Sequence, residues 1–321
     1  MKLNTTSLKF AAGLPLALVT AFSAAALAQQ APASEGVPVR ITVTAVSREK
    51  GQEPPALSKS DFLIYQGRDR RPILDAVRQT GTANKLDLYI LVDDASDSNV
   101  TLNYPDVKSF VSELPSTARV GVAYARNGTI TVAQDLSDNP DAAMKTLRIP
   151  IGRSGAAGGI YFSLADMAKR LPPDPERRRV ILLLSSGIDL FRGYRDSAPG
   201  LNPDLNTAIN QLSRSGITVY SIYVSPASHF LGNLFLINNG QSCLSRLADE
   251  TGGEAYFQGT MTPISMKPFL SEMLQHLNNQ YLVTFGARPG KKSGYAGIRV
   301  TTELSGVDVT GPDQVYISVP K

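Results

Sequence analysis

Hydrophobic positions change period twice along the chain. Over residues 37–45 they alternate (Val37, Val39, Ile41, Val43, Ala45) with Arg40, Thr42 and Thr44 between them, the period of a half-buried strand. Residues 61–65 read as a second strand, closed by a turn at Gln66-Gly67-Arg68-Asp69. From residue 86 to about residue 280 the pattern is different. Continuous apolar runs at 86–92, 119–124, 180–184 and 218–224 alternate with helical spacing near 106–114, 160–171, 205–213 and 266–277. Strands apolar on both faces must be covered on both faces, so this block predicts a doubly wound, mostly parallel α/β sheet. Alternation returns at Tyr281, Val283 and Phe285, and again at Ile298, Val300, Thr302 and Leu304 beyond a Pro-Gly loop. Neither flank can readily close a core alone. Residues 29–80 and 281–321 are therefore predicted to pair as an accessory β-sandwich carrying the α/β domain of residues 81–280.

The amino terminus adds a compartment. In residues 1–28 Lys2 and Lys9 are the only charges, an apolar stretch follows, and Ala26-Leu27-Ala28 fits the small-x-small cleavage rule, so an export leader cut near Ala28 is expected. The protein would then be periplasmic or secreted, and would touch a membrane only if the leader stayed in place. The chain has 32 Lys+Arg against 28 Asp+Glu, and two of those basic residues belong to the leader, which leaves the remainder near neutral. Nucleic-acid binding needs basic residues clustered on one face, and Arg177-Arg178-Arg179 is the one dense run, placed at a strand entry. A single cysteine, Cys243, excludes an internal disulfide and reads as a small core residue on a helix.

The densest candidate chemistry follows the first apolar strand of the central block. Leu91-Val92-Asp93-Asp94-Ala95-Ser96-Asp97-Ser98 places acids and hydroxyls at a strand's carboxyl end, where open parallel sheets bind ligands. Asp94-x-Ser96-x-Ser98 offers the oxygen set that suits a hard cation. Here the chain resembles the von Willebrand factor A domains, whose metal-ion-dependent adhesion site opens with Asp-x-Ser-x-Ser. Ser60-Asp61-Phe62 and Leu247-Ala248-Asp249-Glu250-Thr251-Gly252-Gly253 look like the A-like family known from acidobacterial genomes. The resemblance implies a Thr and an Asp as further ligands. At the matching positions stand Gly158 and Ser186, so the site is expected to be degenerate, with weak or no Mg²⁺ or other divalent binding. Asp189 could reach in from a shifted position, although a solvated loop acid is the plainer reading. The acids at 93–97 are expected to form a solvated negative rim.

Enzyme chemistry finds little support. His229 lies in a loop rich in aromatic residues and Asn, His276 sits among apolar helical positions, and no Gly-x-Ser-x-Gly elbow is present. The Gly-rich stretch 152–159 opens a helix and could attract a nucleotide or phosphate, but it lacks the Gly-Lys-Ser/Thr ending of a phosphate loop. Residues 228–240 read as a loop carrying Phe230, Leu234 and Phe235 among Asn and Gly. The expectation is a non-enzymatic binding or scaffold protein. It would meet an envelope or extracellular protein through the carboxyl-end rim, with Asp93, Asp97, Arg153, Ser186, Asp189, His229 and Phe235 as contact residues. A periplasmic enzyme or nucleotide binder built on the 152–159 loop is the alternative.

Overall fold

The computed structural model describes residues 36–49, 51–151, 159–171, 174–227 and 232–319. The predicted leader lies outside them, as do Arg153, Gly158 and His229. Among the described residues no helix is long and apolar enough to cross a membrane.

The central sheet runs in the order β10 (Ala255–Tyr256), β9 (Ile217–Tyr223), β8 (Arg178–Ser185), β5 (Leu86–Asp93), β6 (Arg119–Arg126), β7 (Thr129–Ser137). Five strands are parallel and β7 pairs antiparallel at the edge. All eight residues of β5 are buried, as its unbroken apolar run requires of a central strand. Leu86, Leu88, Ile90 and Val92 enter the core under α1 (Tyr104–Ser112) and α6 (Lys267–Asn278). Tyr89 and Leu91 enter the opposite core, under α3 (Ile160–Arg170), α4 (Pro203–Ser215) and α5 (Leu234–Thr251). The chain crosses from one side of β5 to the other between β6 and β8, so the topological switch point lies between the ends of β5 and β8.

The ends of the described chain meet beside this sheet. β1 (Val37–Ser47) pairs antiparallel with β11 (Gln280–Ala287) from Val37↔Ala287 to Thr44↔Gln280. The sheet is completed by β13 (Val307–Thr310) and β4 (Ile73–Arg78). A second sheet orders β14 (Gln314–Ile317), β12 (Gly294–Thr301), β2 (Leu63–Gln66) and β3 (Asp69–Arg71). Between them Ile41, Val43, Phe62, Ile64, Val283, Phe285 and Val315 form one core drawn from both flanks. Arg178 fastens this sandwich to the α/β layer. Fully buried, it donates to Leu277 O at 2.6 Å, to Gln280 Oε1 at 2.5 Å and to Asn84 Oδ1. Gln280 in turn reaches Thr44 Oγ1 and the Tyr220 hydroxyl, both at 3.2 Å. Burial lowers the Arg178 guanidinium to about 10, since its hydrogen-bond partners carry no negative charge.

Two departures from the sequence expectation bear on the site. β7 was not anticipated, because its alternation is that of a half-exposed edge strand in a block otherwise made of fully buried ones. Residues 234–240, expected as loop, instead begin the 18-residue helix α5. Asn238-Asn239-Gly240 carries a turn composition, and a helix-interior glycine costs about 1 kcal/mol relative to alanine. Packing overrides that cost: a Cβ at Gly240 would stand 2.3 Å from Ser186 O, so glycine alone lets α5 lie against the end of β8. The carboxyl end of the sheet is therefore lined on one side by a helix.

Candidate functional site at the carboxyl end of the sheet

The acids that end β5 are not solvated. Asp93 and Asp94 are 6% and 2% exposed, which corrects the expectation of an open negative rim. Asp93 Oδ1 accepts from Ala95 N at 2.9 Å and Oδ2 from Ser185 Oγ at 2.6 Å, across the switch point. Gly187 N donates to the same Ser185 Oγ at 3.0 Å, completing a relay from backbone to carboxylate. Burial pushes the Asp93 carboxyl up to about 6, against the lowering effect of those two hydrogen bonds.

Asp94 is held by a residue that sequence reasoning missed. Arg148 grips both of its oxygens, Nη1 to Oδ1 at 2.8 Å and Nη2 to Oδ2 at 3.0 Å, and Ile151 N adds a contact at 3.3 Å. The guanidinium also lies 3.7 Å over the Tyr124 ring. Backbone bonds fix its place: Arg148 N donates to the Tyr124 hydroxyl at 2.6 Å, and the Tyr104 hydroxyl donates to Arg148 O at 2.8 Å. Arg148 follows the edge strand β7 and the short helix α2 (Pro140–Met144), 54 residues from Asp94 in sequence. An Arg-Ile-Pro sequence after a helix gives no sign of the acid it will meet. An unexplained acid at a buried strand end was the available signal, since such a group needs a counter-charge.

The remaining predicted positions separate. Asp189, expected as a solvated acid, is 4% exposed. Its Oδ1 accepts from Gly159 N at 3.1 Å and Phe191 N at 2.9 Å, so it ties the entry of α3 to the loop after β8. Burial raises its carboxyl above the usual range. Ser186 is buried, its Oγ accepting from Ile188 N at 3.3 Å. Asp93, Ser186 and Asp189 were expected as contact residues, yet their burial withholds them from a partner. Asp97 is half-buried and accepts from Asn99 N at 2.8 Å, while Ser98 and Phe235 are exposed.

A divalent cation does not fit this donor set. Both oxygens of Asp94 are already taken by a guanidinium, and Ser98 is exposed while Ser96 is buried. Ser96 Oγ and Asp189 Oδ2 are buried without hydrogen-bond partners, two oxygens where octahedral Mg²⁺ needs six counting water. Among the described residues no group of three or more His, Cys, Asp or Glu side chains is arranged to hold a metal.

What the rim does present is apolar. Of the 14 large hydrophobic residues exposed on the described chain, 11 stand on loops and helix starts beyond the carboxyl ends of the sheet's strands: Leu102, Ile149, Ile151, Phe191, Tyr194, Leu201, Leu234, Phe235, Phe257, Met261 and Ile264. Ile264 is 99% exposed, and its loop is pinned on both sides. Asn103 Nδ2 donates to Pro263 O at 3.0 Å, and Met266 N donates to Asn103 Oδ1 at 3.0 Å and Asp106 Oδ2 at 2.9 Å. Thr262 and Ser225 exchange bonds at 2.7 and 2.9 Å, while Ser225 O accepts from Asp97 N at 2.8 Å. The loop after β5 is thus stitched to the loops after β9 and β10.

No family model matches the chain, and no curated protein matches it in sequence. Solved structures with a similar course of backbone include an aerotolerance-related membrane protein of Bacteroides fragilis, crystallised with multiple mutations to serine, at 13% identity and TM-score 0.44. That alignment covers 60% of this chain and 98% of the other. The conserved hypothetical protein BatB of Bacteroides thetaiotaomicron matches at 12% identity and TM-score 0.44, over 60% and 98% of the two chains. VWA2, the ArnB paralog of Sulfolobus acidocaldarius, matches at 10% identity and TM-score 0.39, over 88% and 72%. At these scores the likenesses bear on neither activity nor partners.

Proposed function

We propose that this chain is an exported, non-enzymatic binding protein of von Willebrand A type that docks another protein on the carboxyl-end rim of its central sheet. The observation that carries the reading is Ile264, an isoleucine fully in solvent on a loop that side-chain and backbone hydrogen bonds hold in place. Exposing it on a loop held by hydrogen bonds forgoes burial worth about 1.5–3 kcal/mol, and ten further exposed apolar residues stand on the same rim. Anchor residues on pre-ordered loops bind with little further loss of conformational freedom. In this reading Arg148 takes the place that a bridging cation has in related domains. It neutralises Asp94 from within the chain, so the rim meets its partner through apolar contact.

The test is capture of envelope proteins by the full-length protein and two variants. Ile264→Asp should lower capture at least tenfold at an unchanged melting temperature, and Lys85→Ala, at the opposite end of the sheet, should leave it unchanged. Loss of capture in Lys85→Ala with retention in Ile264→Asp would refute the rim assignment.

A further inference from the structure

A second surface lies on the sandwich, on the face of the β14-β12-β2-β3 sheet turned away from the core. Ile64, Ile298, Val315 and Ile317 belong to that core, so their neighbours along each strand turn outward. Register sets the outward residues side by side: Arg70, Tyr65 and Arg299 across β3, β2 and β12, and Tyr295 beside Tyr316 across β12 and β14. Arg299 and Tyr295 are about 14 Å apart along β12, at about 3.4 Å per residue, and the outward position between them is the exposed Gly297. On one side Gly297 pairs with Gln314, whose Nε2 is drawn aside to Asn210 Oδ1 at 3.2 Å. On the other the register leads to Gly67 in the hairpin turn. The sheet face is therefore bare between two polar, aromatic clusters.

Nothing in the fold calls for glycine at 297. Its φ is not in the left-handed region, and a Cβ there would meet only Asp313 O, at an ordinary 3.8 Å. Glycine inside a strand weakens it, and where neither turn nor crowding requires it, close approach of another molecule is the remaining reason. The side chains around it are pre-set. The Arg299 guanidinium lies 4.8 Å over the Tyr65 ring, and Arg214 of α4 lies 4.8 Å over Tyr316. The Tyr295 hydroxyl donates to Asn210 O at 3.0 Å, and its ring meets Tyr316 edge-on at 5.2 Å. Charge here has one sign. The outward positions of the four strands hold no acid. Past Gly67, Arg68 at the hairpin tip and Lys291-Lys292 in the loop before β12 are exposed and, among the described residues, pair with no acid, while Asp69 is engaged by Arg288 at 3.0 Å.

We propose that this face binds an acidic polysaccharide, with a sugar ring over Gly297 and the polymer's carboxylates met by Arg70 and Arg299 on one side and by Arg68 and Lys291-Lys292 on the other. Guanidinium groups match carboxylates with paired N–H donors. A lipid surface or a protein partner buries apolar side chains, and the one aliphatic side chain at the outward positions, Leu63, is already buried. Stacked nucleic-acid bases need open aromatic faces, whereas an arginine already lies on two of the three tyrosines. Sugar hydroxyls and carboxylates use what is left, N–H and O–H donors around a bare strip of backbone. The surface stands apart from the rim, and either reading can fail alone.

The experiment uses the full chain and a fluorescently labelled oligomer of galacturonic acid. Fluorescence polarisation should show saturable binding that methyl esterification of the oligomer abolishes. Polyglutamate and oligothymidylate of equal charge should bind at least tenfold more weakly. Gly297→Thr, which adds a strand-favouring side chain on the bare strip, should weaken binding at least tenfold while the melting temperature holds or rises. Arg70→Glu, at an exposed position, should weaken it by a similar factor, and Ile264→Asp should leave it unchanged. The polyglutamate and oligothymidylate arms are read on the unmutated protein and do not depend on the variants folding. No binding up to about 1 mM, equal binding of polyglutamate or oligothymidylate, or unchanged affinity in Gly297→Thr would overturn the proposal. So would a lowered melting temperature in Gly297→Thr, which would make the glycine a requirement of the fold.

Discussion

Asp87 at the amino end of the central sheet and Asp94 just beyond its carboxyl end are both buried carboxylates held by arginine, but they are held differently. Asp87 is fully buried and gripped by two guanidiniums, Arg119 at 2.8 and 2.6 Å and Arg177 at 2.6 Å, the latter also bonded to Leu86 O and Thr117 O. Asp94 has one, and the side chain of Arg148 is 37% exposed. At the amino end the charges are over-determined and one neighbour is the wholly enclosed Arg178. At the carboxyl end a single latch faces solvent, surrounded by exposed apolar side chains. The same ion-pair chemistry thus holds one carboxylate with two guanidiniums and the other with one.

Four perturbations would break or sharpen this contrast. The largest effect should come from Asp87→Ala, which leaves Arg177 and Arg119 crowded without a counter-ion. Breaking a buried pair from one side costs about 3–5 kcal/mol, to be read as a lower midpoint in urea unfolding. Arg148→Ala should cost less, about 1–3 kcal/mol, because water can reach Asp94 once the latch is gone. That variant should also bind Mn²⁺ more tightly than the unmutated protein, for which calorimetric titration with Mg²⁺, Mn²⁺ and Ca²⁺ should give Kd values of about 1 mM or weaker, the expected loss from missing ligand positions. An unmutated Kd below about 100 μM that vanishes in Asp94→Ala would mean that a cation displaces the latch.

Asp93 supplies a pH test. Burial pushes its folded carboxyl up to about 6, above the ordinary aspartate range, so across that interval the folded state holds the proton more firmly than the unfolded chain. Stability contributed by this group is therefore present at low pH and lost as pH rises through about 6. Asp93→Asn keeps an acceptor for Ser185 and removes the buried charge. It should stabilise the protein by about 1–2 kcal/mol at pH 7.5 and by nothing measurable at pH 4. A stabilisation equal at both values would show that the carboxylate is solvated in the fold. The smallest stability change should follow Ile264→Asp, within about 0.5 kcal/mol as at other exposed positions. A large loss of melting temperature there would make Ile264 a structural residue and remove the anchor from the rim.

Much of the architecture was legible in the residues themselves. The unbroken apolar run at 86–92 can only be a strand covered on both faces, and it is β5. The alternation at 37–45 and after residue 280 foretold two half-buried strands, which pair as β1 and β11. Placing Asp94 and Ser96 at a strand's carboxyl end needed nothing beyond that periodicity. The helix at 234–251 was less legible, because Asn-Asn-Gly disfavours helix locally and the reason for Gly240 is the backbone of Ser186, on a different element.

The state of the acids was decided by tertiary structure alone. Composition counted the carboxylates of residues 93–97 and the arginines elsewhere, but a charge is solvated, paired or neutralised according to what folds against it. Local pattern reports the period of burial, which is set by neighbours a few residues away. The pairing of Asp94 with Arg148, of Asp93 with Ser185 and of Asp189 with Gly159 joins positions 54, 92 and 30 residues apart, and no periodicity carries that information.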